Sequence, residues 1–167
     1  MPALTSGIKA PDLTLPTTHG EKFSLSDALK RGPVVLAFFK VTCPVCQYAF
    51  PLYERVYQRL KGTNVSFVGV SQNEEDDTEQ FMRQYGVTFP VLLDDPKGYK
   101  VSNAYGLTNV PTVFFIAQDG TIEISSVGWS KDETEDIARR VSSDGKAAGN
   151  GAPLFKAGED VAEFRPG

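Results

Sequence analysis

The sequence predicts an α/β fold, a central mixed β-sheet flanked by helices and followed by a mobile C-terminal tail. Three observations predict it. Two continuous apolar runs of strand length, Val34–Phe39 and Val65–Val70, stand on either side of a stretch with helical periodicity. A later run, Thr112–Ala117, meets an Asp119-Gly120 pair and then the alternation Ile122, Ile124, the pattern of an antiparallel hairpin. From Ser142 to Gly167 the chain turns to Gly, Ala and small polar residues without a clear period.

Taken in order, the run Val34-Val35-Leu36-Ala37-Phe38-Phe39 suits a strand buried on both faces. Val45, Ala49, Leu52, Tyr53, Val56 and Leu60 then recur at helical spacing, with Glu54, Arg55, Gln58 and Arg59 mostly on the other side. With Val65–Val70 behind it, this is a β-α-β unit whose crossover defaults to the right hand. A second amphipathic stretch runs from Glu75 to Tyr85, with Phe81, Met82 and Tyr85 on one face and Gly86 as the stop. Its acidic start, Glu74 to Glu79, suits the positive end of a helix and needs no docking role. Phe89–Leu93 reads as a short strand, Gly98–Tyr105 as a short helix, and Lys131–Val141 as a last helix packed through Ile137 and Val141. Gly145 to Gly151 resembles a phosphate loop only superficially, since no Gly-Lys-Ser/Thr closes it and no strand feeds it.

Composition narrows the chemistry. The 167 residues are 41% hydrophobic and carry 17 Lys+Arg against 21 Asp+Glu, a net charge of −4, so the basic excess that neutralises nucleic-acid phosphates is missing. Two cysteines and one histidine make neither a disulfide scaffold nor a tetrahedral metal site, and no metal or other cofactor is expected. The segment Met1–Pro11 lacks the apolar core of a secretory signal, and no stretch reaches membrane-spanning length. The expected location is cytoplasmic if Met1 is the native start, and periplasmic or otherwise extracytoplasmic if a leader has been removed.

Cys43-Pro44-Val45-Cys46 falls where the first long strand hands over to the first long helix. A cysteine at a helix start faces orphan N–H groups and the positive end of the dipole, surroundings that favour a thiolate, so Cys43 is the expected nucleophile. Cys46 lies three residues on, within the first turn and on the same face, placed to resolve a mixed disulfide formed by Cys43. Pro44 fits the first helical position, where its missing N–H costs nothing.

With this motif the chain resembles the thioredoxin superfamily over roughly Pro11 to Val141. Pro51, five residues after Cys46, matches a helix-kinking proline, Val110-Pro111-Thr112 matches the segment with a cis-proline before a strand, and Val127-Gly128-Trp129 matches the glycine after the next strand. Lys9–Leu15 and Gly20–Leu25 resemble the N-terminal hairpin of the redoxin branch, which holds peroxiredoxins and cytochrome-maturation reductases. The resemblance implies a thioredoxin-like redoxin domain over 1–141, with an N-terminal β-hairpin extension, and an irregular or flexible tail over 142–167. It also implies a thiol-disulfide oxidoreductase cycling the Cys43–Cys46 pair, with Val110, Pro111, Thr42 and Pro44 as the substrate-binding rim. The expected partners are protein or small-molecule disulfides and thiols together with an external dithiol reductant. A monomer is expected, without nucleic acid and without a membrane span.

Departures from the family pattern concern proton transfer. The buried carboxylates that usually serve the second thiol are replaced by Ala37 and Ala49, leaving water, Lys40 or Glu54 as candidates to assist Cys46. Thr42 stands where the family has a tryptophan. Lys40 either favours the Cys43 thiolate by its charge or is a solvated strand end. Two alternatives remain open at this level. A peroxiredoxin-like thiol peroxidase would use Cys46, but no arginine lies between Arg83 and Arg139 to activate a peroxide. A non-catalytic binding module would keep the disulfide as a switch or a brace.

Overall fold

The structure is a computed structural model and describes residues 3–142 and 153–167. The chain opens with an antiparallel hairpin of β1 (Thr14–Pro16) and β2 (Lys22–Ser24), followed by α1 (Leu25–Leu29). Ser24 caps α1 by accepting the Asp27 N–H at 3.3 Å. This helix is absent from the sequence reading because five residues are too few to display a period.

Next come β3 (Val34–Phe39), α2 (Pro44–Leu60), β4 (Ser66–Ser71), α3 (Glu75–Tyr85), β5 (Val91–Leu93) and α4 (Lys100–Ala104). The domain continues with β6 (Thr112–Ile116), β7 (Ile122–Val127), β8 (Trp129–Ser130) and α5 (Lys131–Ser142), and β9 (Phe164–Arg165) lies near the end. Five strands form one sheet in the order β5-β4-β3-β6-β7. The β3–β4 and β4–β5 pairs are parallel, while β3–β6 and β6–β7 are antiparallel, so the sheet is mixed as expected.

All six β3 side chains are buried. Strand alternation sends Val35, Ala37 and Phe39 into the core beneath α2, α3 and α5, and sends Val34, Leu36 and Phe38 into a second core beneath α1 and α4. A strand apolar at every position thus serves two cores, which is what the middle strand of a covered sheet requires. The α2 side is aromatic: Phe39 lies 4.3 Å from Phe50 and 4.8 Å from Phe81 between ring centroids. Such pairs contribute about 0.5–1.5 kcal/mol each beyond their burial. They fix α2 on the sheet, and with it the cysteine pair at its start.

Ile137 is buried on α5 as expected, while the packing of Val141 and the Gly145–Gly151 segment lie outside the described residues. Over 153–167 the tail packs on the domain. Leu154 and Phe155 are buried, with the Phe155 ring 6.1 Å from Trp129. Trp129 Nε1 donates to the Ala162 carbonyl at 2.7 Å, the Ala162 N–H donates to Tyr48 Oη at 2.9 Å, and Arg55 pairs with Glu159 at 2.7 Å. Finally β9 adds antiparallel to β8. The physical reason is that two apolar side chains and a few backbone groups suffice when a shaped surface awaits them, and such a surface leaves no periodic trace in the segment that covers it.

Candidate active site

The end of β3 is held open by its neighbours. Val41 N–H donates to Asn73 Oδ1 at 3.0 Å, and Gln47 Nε2 donates to the Val41 carbonyl at 2.9 Å. These two contacts tie the turn between strand and helix to the end of β4 and to the first turn of α2. The chain then enters α2 with Cys43 in extended backbone as its N-cap and Pro44 at the first helical position.

Cys43 Sγ accepts the Cys46 N–H at 3.2 Å, the place of an N-cap oxygen. The sulfur thus stands over the first turn of the helix, at its positive end. As a thiol, Cys43 donates to the Val110 carbonyl at 3.4 Å. Both cysteines are free, Cys43 half-buried and Cys46 wholly buried. Burial first, and the hydrogen bond with Cys43 second, push the Cys46 thiol far up, so it rests as a neutral group. Ala37 and Ala49 share the same buried cluster, where the family pattern would place a carboxylate. Tyr53, two turns beyond Cys46, is likewise pushed up by burial.

In front of Cys43 lies a cleft of about 470 Å³ whose walls include Lys40, Pro44, Tyr99, Val110 and Gly167. Lys40 Nζ sits 5.9 Å from the centre of the Tyr99 ring, a cation–π contact across the cleft. Tyr99 holds a left-handed backbone at φ 48°, uncommon for a side chain of this size. The Val110–Pro111 bond is cis.

Of the residues expected at the site, Cys43, Cys46, Pro44, Lys40 and Val110 come together. Pro111 is buried behind Val110, and Thr42 is exposed and lies outside the residues lining the cleft. Glu54 does not assist Cys46: its carboxylate takes the Thr88 N–H at 2.8 Å and Gln58 Nε2 at 2.6 Å. His19 is exposed in the hairpin turn. Sequence reasoning missed Tyr99, Asn73, Gln47 and Gly167. A left-handed tyrosine has no sequence signal, whereas Leu154-Phe155 in an otherwise small-residue tail was a signal that the segment docks.

The family model that matches the chain is that of the AhpC/TSA family, over residues 6–125. Thiol-disulfide oxidoreductase ResA of Bacillus subtilis (strain 168) is 34% identical over 121 residues, 72% of this chain and 66% of that protein. The ResA of Bacillus thuringiensis (strain Al Hakam) is 30% identical over 138 residues, 81% of this chain and 78% of that protein. A Chlorobium tepidum crystal structure assigned as a thiol:disulfide interchange protein DsbE superposes with a TM-score of 0.73 at 29% identity, covering 84% of this chain and 98% of that one. The cysteine pair at a strand-to-helix junction, the five-stranded mixed sheet and these matches agree, and the chain belongs to the AhpC/TSA family as a thioredoxin-like redoxin.

Proposed function

We propose that the chain is a thiol-disulfide oxidoreductase with Cys43 as nucleophile and Cys46 as resolving thiol. The observation that carries this reading is the asymmetry of the pair: Cys43 faces the cleft at a helix start, and Cys46 lies sealed one turn below, its N–H on the Cys43 sulfur. The Cys43 thiolate attacks one sulfur of a client disulfide, and the other sulfur leaves as a thiolate that takes up a proton. Cys46 then gives up its proton and attacks Cys43 Sγ. The second client thiol departs and a Cys43–Cys46 disulfide remains, two electrons having passed to the client. An external dithiol restores the pair. Val110, beside the attacking sulfur, and Pro44 and Lys40, on the cleft wall, orient the client; Pro111 holds Val110 in place.

Relatives named as thiol-disulfide oxidoreductases support this reading. The peroxidase alternative loses support from the structure, since Cys46, the sulfur it requires, is fully buried and held as a neutral thiol. Thiol and disulfide compounds are therefore the partners, a net charge of −4 speaks against nucleic acid, and a monomer remains the proposed state. Among the described residues no helix is long and apolar enough to cross a membrane.

Insulin reduction followed by turbidity with dithiothreitol, beside a peroxide-consumption assay, tests the proposal. Cys43→Ser abolishes insulin reduction, and Cys46→Ser accumulates a mixed disulfide on Cys43. Peroxide turnover that depends on Cys46 would establish the peroxidase instead, and inactivity in both assays would leave a binding module. The reduction potential of the pair sets direction: about −270 mV marks a reductant and about −120 mV an oxidant.

A further inference from the structure

The docked tail reaches the cleft of the nucleophile. After β9 the chain crosses Gly128, where a Cβ would come within 2.6 Å of the Arg165 carbonyl and where φ is +78°, so only glycine lets the two backbones pass. Gly167 then lies directly on the Val110 carbonyl, so closely that a Cβ there would collide with it. Asn109 Nδ2 holds the Gly167 carbonyl at 2.9 Å, and the Arg165 guanidinium lies 4.0 Å from the centre of the Tyr48 ring. Val110 is the residue whose carbonyl touches Cys43 Sγ at 3.4 Å, and Gly167 shares the cleft wall with both. A polypeptide bringing its disulfide to Cys43 needs backbone room on this side, and the tail takes it. The opposite side, between Lys40 and Tyr99, remains part of the cleft wall without any contribution from the tail.

We infer that residues 163–167 are a specificity-determining cover: paired along Trp129–Ser130, they bring Gly167 onto the Val110 edge beside Cys43, restrict protein clients, and leave the Lys40–Tyr99 side of the cleft to small disulfides. The family match covers residues 6–125 and does not reach this segment. A client that must displace the cover binds more weakly in proportion to the fraction of molecules in which the cover is already off. The inference rests on the oxidoreductase reading above.

The test uses the 167-residue chain carrying Arg165→Ala, which removes the stacking on Tyr48, or Gly167→Leu, which cannot sit on the Val110 carbonyl. Two substrates are compared, insulin and oxidised glutathione, each with a dithiol reductant. Loosening the cover raises kcat/KM for insulin by about fivefold while that for oxidised glutathione stays within about twofold. Trp129, the chain's one tryptophan, reports the loosening by a red-shifted emission because its indole N–H is bonded to Ala162. An insulin rate unchanged in both variants means that the segment only braces the domain and overturns the inference. A parallel fall on both substrates means that the tail builds the site rather than covering it, which also overturns it. Failure of the unaltered protein on both substrates would instead strike the oxidoreductase reading itself.

Discussion

The junction of β3 and α2 and the tail over 153–167 reach the same cleft in front of Cys43 by opposite routes. At the junction every determinant is local: a six-residue apolar strand, a cysteine in extended backbone, a proline at the first helical position and helical spacing thereafter. In the tail every determinant is remote. Phe155 matters because of Trp129 and Arg55, Ala162 because of Tyr48 and Trp129, and Gly167 because of Val110. The first region holds its place through the sheet and two cores, the second through a shallow surface and a two-residue strand. Local patterns therefore placed the chemistry, and long-range packing placed its boundary.

The comparison is sharpened most by core truncation. Phe39→Ala removes a fully buried ring in contact with Phe50 and Phe81, costs about 3–5 kcal/mol and lowers Tm by roughly 10 °C. Phe155→Ala removes a ring of the same size, yet calorimetry shows a smaller loss, because the tail can detach locally without unfolding the domain. Equal losses would show the tail to be part of one cooperative core.

A smaller effect probes the junction alone. Ala49→Glu restores a carboxylate beside the buried thiol and accelerates resolution of the Cys43 mixed disulfide on the order of tenfold at neutral pH, as a proton acceptor should. In the unaltered chain resolution climbs steadily with pH, since burial holds the Cys46 thiol far above its ordinary range. Rapid-mixing measurements from pH 5 to pH 9 separate the two profiles. Identical profiles would mean that another group already takes the Cys46 proton.

The smallest effect concerns acid. The side-chain bond from Arg55, then the Lys156 N–H, hold the Glu159 carboxyl down at about 2, against an ordinary value of 4.5. A carboxylate lowered on folding contributes stability above its unfolded value and loses it as pH falls through the folded one. Docking of the tail, read by Trp129 emission, therefore weakens between pH 4.5 and about 2. Arg55→Ala removes that step, and a step that persists in this variant would assign it to another carboxylate.

Much of the site was legible in advance. Cys43, Pro44 and Cys46 follow from motif and spacing, because strand end and helix cap are short-range consequences of residue order, whereas Val110 was expected only through the family resemblance and Lys40 was left open between two roles; in the structure all five lie together. Glu54, one of three candidates left open to assist Cys46, shows the reverse: helical spacing says which face a side chain occupies, not that Thr88, arriving from a distant loop, will claim it. Tyr99 was invisible because a left-handed tyrosine is imposed by its surroundings rather than favoured by its own backbone preference.

By itself, then, the sequence determined the order and type of the main elements, the two-faced central strand and a thiol pair at a helix start, since each follows from periodicity and caps within a few residues. Tertiary structure alone decided how completely Cys46 is sealed, that Lys40 faces Tyr99 across a cleft, and that Gly167 lies on Val110. These depend on where separate segments meet in space, a matter of shape and burial that no local pattern encodes.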